Sequence, residues 1–358
     1  MSFDESSCEI FNYYGDNISR YVNISICFVG VILNLFNILV FTRKNMMSSA
    51  NLIFTHLSVV DLLFLFSTIP FTWIKDFQYS IDDVDHRTYT HAVIYSRCQD
   101  LTHVLNYMSA FLTVMLAIWR YIAVAHPLKE RSWCDMKTTR NVVIAVYISS
   151  VLLNIPYWFT SNITTFYTDD GEPWYYPFPV VRGSMADISY LTTAVLEQLL
   201  PSVALPIFSF KLIVVLLRKS NNVQLQTSSS SIRNNTRNLR MKQQTDRSII
   251  ITLVVVASFL IVRLPTGISK LIVSIPIPST YIVMSYNVIM CIHKLRSVFG
   301  TLNIINMSIT FIVYYTMSQN FRATFKFLFS SINVSSPEVN QVALGSMRKS
   351  YTGPRVLR

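Results

Sequence analysis

Charge is scarce in this sequence. Only 14% of its 358 residues are Asp, Glu, Lys or Arg, against about 25% in a soluble globular domain. That argues against an ordinary water-soluble enzyme. It also argues against a disordered chain, which would be rich in charge and poor in aromatics; this one carries 23 Phe and 19 Tyr. Glycine is scarce as well. Eight residues in the whole chain leave little room for a glycine-rich phosphate loop. The five cysteines, Cys8, Cys27, Cys98, Cys134 and Cys291, include no CxxC pair, so no metal or redox motif is present, and an odd count leaves at least one thiol unpaired. No HExxH, GxSxG or P-loop pattern occurs, and the six histidines are scattered. No enzymatic activity is expected. The first twenty residues hold Asp4, Glu5 and Glu9 and no apolar run, so no cleavable leader is expected, and the first hydrophobic segment would serve as the targeting signal.

What is abundant is long hydrophobic sequence. Hydrophobic residues make up 51% of the chain, in seven apolar stretches near 20–42, 50–74, 97–125, 139–160, 188–218, 246–275 and 293–317. A helix crossing the bilayer needs about 20 apolar residues, and each stretch supplies them. The fold expected is all-α: a seven-transmembrane helix bundle over 20–317. Prolines 70, 156, 201, 206 and 265 fall inside the stretches. A membrane bundle tolerates them because neighbouring groups take up the freed carbonyls; each is either a kink or a hinge.

The joints between stretches differ in sign. One set carries Arg43, Lys44, Lys129, Arg131, Lys137, Arg140, Arg218, Lys219 and Arg240, and the end of the chain adds Arg322, Lys326 and Arg358. The opposite set carries Asp4, Glu5, Glu9, Asp16, Asp76, Asp82, Asp83, Asp85, Asp169, Asp170 and Glu172. Basic joints face the cytoplasm, so the N-terminus is expected outside and the C-terminus inside, in a multi-pass protein of the plasma membrane. The formal net charge of +11 then reflects a cytoplasmic face against the anionic lipid bilayer, and no nucleic acid partner is expected. Glycosylation sequons at Asn17 and Asn162 fall on the outer side. Residues 1–19 read as an extracellular N-terminus, 219–245 as a flexible cytoplasmic loop and 330–358 as a disordered cytoplasmic tail. In 318–329, Phe321, Phe325, Leu328 and Phe329 recur at helical spacing beside Arg322 and Lys326, the pattern of a short amphipathic eighth helix on the inner leaflet.

An ionisable residue inside a span is costly and marks function by default. Four stand out: Asp61, Arg120, Glu197 and Arg263. Asp61 reads either as a hydrogen-bonded structural carboxylate or as a cation site, with oxygens from Ser109, Asn303 and Asn306, the donors a hard cation prefers. Glu197 and Arg263, of opposite sign on successive spans, read as a salt bridge inside the bundle, as the lining of a cavity, or as both.

Together these residues resemble a rhodopsin-like (class A) G-protein-coupled receptor, and within that superfamily the invertebrate, especially nematode, myosuppressin and FMRFamide-like peptide receptors. The resemblance covers about residues 30–330. It rests on Asn34 and NILVFTRKNM; on Asn51, Leu57 and Asp61; on Trp119-Arg120-Tyr121 and IAVAHPL; on Thr245-Asp246-Arg247, Phe259 and Pro265-Thr266-Gly267; and on Asn306 to Phe311, Tyr314 and Phe321-Arg322. There are departures. Trp119 stands where most of the superfamily has an acid, Leu33 where a glycine usually precedes the first-helix asparagine, Thr310-Phe311 where Asn-Pro is usual, and Arg263 where this peptide-receptor group generally has Glu. No cysteine occurs in 160–190 to make the usual disulfide with Cys98; Cys8 and Cys291 are the partners left.

The resemblance implies roles. An extracellular amidated neuropeptide would bind His103, Asn106, Tyr107, Glu197, Arg263, Lys294 and Arg296. A heterotrimeric G protein would couple through Arg120, Tyr121, Pro127, Leu128, Pro265 and Tyr314, with arrestin and a receptor kinase as further partners. Asp61, Ser109, Asn303 and Asn306 would hold an allosteric sodium ion; no other cofactor is expected. The alternative on the same fold is a chemosensory receptor for a small external molecule. A transporter is disfavoured because neither repeat symmetry nor paired broken helices is visible.

Overall fold

The structure, a computed structural model, describes residues 5–73, 88–159, 161–167, 171, 173–179, 188–189, 191–227, 257, 259–268, 271 and 282–330; for 5–20, 131, 161–162, 166, 174, 176–179, 219–227, 282–297 and 317 it describes the backbone alone. The chain divides into two units, 1–313 and 314–358. Its helices are α1 (Glu5–Phe41), α2 (Ser49–Trp73), α3 (Tyr89–Ala125), α4 (Pro127–Trp133), α5 (Met136–Trp158), α6 (Leu200–Thr227, led by a π-helical turn over Thr193–Leu199), α7 (Phe259–Ile268), α8 (Ile282–Met317) and α9 (Gln319–Ser330). Among the described residues, six helical segments are long and apolar enough to cross a membrane: Tyr21–Phe41, Ser49–Trp73, Tyr89–Ala125, Met136–Trp158, Thr193–Arg218 and Val298–Thr316. The remaining apolar stretch, the sixth along the sequence (246–275), is described over Phe259–Ile268. The fold is a seven-transmembrane helical bundle. Large apolar side chains stand exposed on its spans, among them Phe28, Ile32, Phe66, Ile148, Leu152 and Phe210. In water such a surface would associate; against lipid tails it is the solvated face.

Several helix ends differ from the sequence reading. Helix α1 starts at Glu5, so its helical backbone runs through most of the segment read as the extracellular N-terminus, 1–19. Helix α3 starts at Tyr89 rather than 97, with Thr88 as N-cap accepting from the His91 N–H. Helix α6 continues to Thr227, into the segment read as a loop from 219. Apolarity marks where a helix meets lipid, and a helix whose backbone is satisfied internally can run on past that point. Residues 228–256, most of the basic inner loop, and the tail from 331 lie outside the described residues.

In the first unit, α2 packs along α1 and α3, and α3 also packs on α5, α6 and a β-hairpin. The approach of α1 is set by Gly30. A Cβ there would lie 2.7 Å from a Leu65 methyl carbon and closer still to Ser308. Leu33, where the superfamily usually has glycine, is half-buried, and the close approach of α1 falls one turn earlier, at Gly30. Asn34 then donates its Nδ2 to the Gly30 and Met307 carbonyls, 3.0 Å each, tying α1 to α8. Further along the bundle, Ala110 and Ala117 of α3, Leu205 of α6 and Phe259 of α7 form one buried cluster with Phe208 against it.

The hairpin lies between α5 and α6 in sequence. Strand β1 (Ser161–Tyr167) pairs antiparallel with β2 (Pro173–Pro179), Asn162 opposite Phe178 and Thr165 opposite Tyr175. Gly171 takes the left-handed conformation in the connection (φ 81°), which glycine adopts without steric cost. Pro173, Pro177 and Pro179 lack the N–H that a further strand would need, and among the described residues the sheet has two strands. Tyr175 packs edge-on against Tyr89 of α3, centroids 5.5 Å apart. Among the described residues Cys98 is a free thiol; the side chains of Cys8 and Cys291, the partners left open by the sequence, lie outside the described residues.

In the second unit, α9 buries Phe321 and stacks Phe325 beside Tyr315 and Phe329. Tyr314 lies 6.1 Å from Phe321, and the Ser318 N–H closes onto the Tyr314 carbonyl at 2.8 Å.

Candidate functional site

Two of the four ionisable groups that the sequence places in the hydrophobic spans, Glu197 and Arg263, meet between α3, α6 and α7, toward the hairpin end of the bundle. Local sequence explains why α6 presents them. Pro201 has no N–H to offer the Glu197 carbonyl four residues back, and the helix answers with a widened π turn over Thr193–Leu199, a common device at functional sites. That turn turns both Glu197 and Gln198 inward, with relative exposures of 0% and 2%.

Glu197 is the hub. Gln198 Nε2 donates to its Oε1 at 2.5 Å. Arg263 Nη1 lies 3.7 Å from the same oxygen, and His103 Nδ1 lies 3.8 Å from Oε2. Arg263 is 2% exposed, its guanidinium carbon 5.4 Å above the Phe259 ring, a cation–π contact. Both Glu197 and Asp61 act on it electrostatically. Tyr107, also buried, reaches the Thr193 side chain. The His103 ring packs at a tilt of 51° on Tyr157, centroids 4.3 Å apart, and the Tyr157 hydroxyl accepts from Gln99 Nε2 at 2.8 Å. Of the two readings of Glu197 and Arg263, the structure shows the salt bridge: the pair is close enough to attract and too far apart to hydrogen-bond directly.

Of the ligand residues expected, His103, Tyr107, Glu197 and Arg263 gather here. Asn106 is one residue away on α3 and accepts from Asn303 Nδ2 at 3.2 Å, linking α3 to α8. Lys294 and Arg296 lie on the described backbone of α8. Gln198 was not singled out in the sequence; its signal was an amide next to the one acid of an apolar span. Asp100 was also passed over. It is buried in α3, bridged to Arg97 at 3.0 Å, with its backbone carbonyl accepting from Asn154 at 3.3 Å.

The expected cation ligands come together in part. Ser109 donates to Asp61 Oδ1 at 3.0 Å and contacts Met307 Sδ at 3.5 Å. Asn303 Oδ1 is buried and has no hydrogen-bond partner among the described residues, an oxygen of the kind sodium takes. Asn306 is half-buried, and no described contact brings it to Asp61.

At the other end of α3, Trp119 does not occupy the place of an acid idly. Its Nε1 donates to Thr139 of α5 at 3.0 Å, while the Arg120 guanidinium sits 5.2 Å above the Phe54 ring of α2. Tyr121 packs against His126 and Phe208. Pro127 opens α4 at its first turn, where proline's missing N–H costs nothing, and Leu128 beside it is 89% exposed. Pro265 lies inside α7, and Thr266 Oγ1 caps the Val262 carbonyl at 2.7 Å. Asn17 falls on helical backbone of α1 and Asn162 on β1.

The sequence model of the family described as serpentine type 7TM GPCR chemoreceptor Srw matches residues 21–331. Among known proteins, the G-protein coupled receptor dmsr-1 of Caenorhabditis elegans is 26% identical, over 93% of this chain and 72% of its own length. Sex peptide receptor-related protein 2 of the same organism is 25% identical, over 81% of this chain and 66% of its own length. The FMRFamide peptide receptor frpr-18, also from C. elegans, is 29% identical over a shorter region, 36% of this chain and 30% of its own length.

Proposed function

The chain belongs to the Srw family of serpentine seven-transmembrane G-protein-coupled receptors, and from that footing we propose that it is the receptor for an extracellular, amidated, FMRFamide-like neuropeptide. The observation that carries the reading is the buried cluster of His103, Tyr107, Glu197, Gln198 and Arg263. A bundle in lipid gains nothing from so many polar groups in one place unless they meet a polar ligand. The names of the similar proteins, a sex peptide receptor relative and an FMRFamide peptide receptor, support a peptide. The acid-rich joints suit a ligand carrying positive charge, and they support a plasma-membrane protein with its hairpin end outside and both its Arg120 end and its C-terminus in the cytoplasm.

Binding shifts a population. The peptide stabilises the bundle that is open at the Arg120 end, by no more than its difference in affinity for the two states. Arg120, Tyr121 and Tyr314 rearrange, Pro265 serves as the hinge of α7, and Pro127 and the protruding Leu128 contact a heterotrimeric G protein. Arrestin and a receptor kinase engage the same face afterwards. Asp61, Ser109 and Asn303 would hold a sodium ion in the closed state, supplying a charge that Asp61 neutralises. The family description, a chemoreceptor, favours as a second reading a small external molecule in the same cluster. Cells displaying the chain, challenged with a neuropeptide panel and with a panel of small odorants under a G-protein activation readout, separate the two. A response to peptides at submicromolar concentration is expected; a response to odorants alone overturns the peptide reading.

A further inference from the structure

Arg263 and Gln198 hold hydrogen-bonding capacity that the described residues do not use. Among them, Nε and Nη1 of Arg263 have no hydrogen-bond partner, and neither has Oε1 of Gln198, although both side chains are only 2% exposed. The two side chains that carry these atoms meet at one carboxylate oxygen: Gln198 Nε2 donates to Glu197 Oε1 at 2.5 Å, and Arg263 Nη1 lies 3.7 Å from it. Gln198 is fixed there by Gly267, one turn along α7 from Arg263. A Cβ at 267 would stand 2.8 Å from the Gln198 Cβ, so glycine is what lets the two helices close on this point.

Unmet buried donors and acceptors are costly, and their pattern specifies what relieves them. A carboxylate would satisfy the guanidinium but would turn its oxygens toward Gln198 Oε1 and stand beside Glu197, while Arg263 already feels Glu197 and Asp61. An ammonium or guanidinium would satisfy Gln198 Oε1 but confront the donors of Arg263. A primary carboxamide carries an acceptor and two donors and no charge. We propose that Arg263 and Gln198 form the subsite for the ligand's terminal carboxamide, its carbonyl accepting from Arg263 and its NH2 donating to Gln198 Oε1. This rests on the peptide reading and names the pair of residues that selects the amidated end.

The test uses membranes displaying the full-length receptor and a panel of amidated peptides, FMRFamide among them, each with its free-acid and its N,N-dimethylamide twin. A hydrogen bond to a charged group corresponds to roughly a tenfold to 150-fold change in affinity. The amide should outbind the free acid by at least that margin. The dimethylamide, which keeps the carbonyl and loses both donors, should bind at least about tenfold more weakly than the amide. Gln198→Met, at matched surface display, should shrink the ratio of amide to dimethylamide affinity toward one. Equal binding of amide and acid, or of amide and dimethylamide, in the wild type overturns the subsite and leaves the peptide reading standing. So does a ratio unchanged in a well-displayed Gln198→Met receptor. Failure of every peptide to bind removes both.

Discussion

A guanidinium survives between lipid-spanning helices only beside a counter-charge, and for Arg263 that is Glu197, 3.7 Å away. Removing one partner of a buried pair costs about 3–5 kcal/mol, whereas removing both is often nearly neutral. Glu197→Gln and Arg263→Gln are each expected to lower the melting temperature of the detergent-solubilised receptor, and the double variant to recover most of the loss. Additive losses would show that the two are not coupled. Both charges were legible in the sequence, because a charge in an apolar span needs an explanation. The company they keep was not. That Gln198 turns toward Glu197 depends on the π turn before Pro201, and that Asn303 turns its Nδ2 to Asn106 depends on a side-chain rotation that spacing does not determine. Ser109 beside Asp61 was foreseeable, and Asn306, expected there too, is the member that no described contact brings in.

At the scale of elements, helices sit as close as their smallest residues allow. Gly30 lies where a Cβ would collide with Leu65 and Ser308, while a Cβ at Gly300 of α8 would meet nothing within 4 Å. Gly30→Ala should therefore lower the melting temperature as α1 is pushed off α2 and α8. Gly300→Ala should leave it unchanged or raise it, since Ala is favoured over Gly in a helix by about 1 kcal/mol. The reverse order would mean that α1 does not pack at Gly30. Helix α5 is capped by Asp135, whose carboxylate accepts from the Thr138 N–H at 3.0 Å. Hydrogen bonds from the Thr138 side chain and backbone hold that carboxyl below its usual range. The cap is complete above the unfolded value of about 3.9 and is lost as pH falls through the lower, folded value. Protection factors of the first α5 turn, corrected for intrinsic exchange, should fall over that acid range, and in Asp135→Ala should be low throughout. An acid loss in Asp135→Ala equal to wild type would place the titration elsewhere. The spans could be read from hydropathy because lipid contact demands it. The hairpin was not read, although SNITTFY and PWYYPFP carry the β-branched and aromatic residues of strands, because prolines and a polar joint read first as loop.

The whole molecule is bounded by its membrane. Epitope tags at the two ends should be accessible on opposite faces of intact cells, the N-terminal one from outside; both on one face would require an even number of crossings. Within the bundle, Glu197, Gln198 and Arg263 lie at the hairpin end, whereas Arg120 and Leu128 lie at the other, and α3 runs the length between. If a peptide acts at the first and a G protein at the second, their affinities must be linked reciprocally, by a coupling of typically 1–3 kcal/mol or about 5- to 150-fold. The most direct test is the affinity of a labelled amidated peptide agonist for receptor membranes reconstituted with a heterotrimeric G protein, measured nucleotide-free and again with excess non-hydrolysable GTP analogue. The account predicts binding at least about fivefold tighter in the nucleotide-free, coupled state; the same affinity in both states would contradict it.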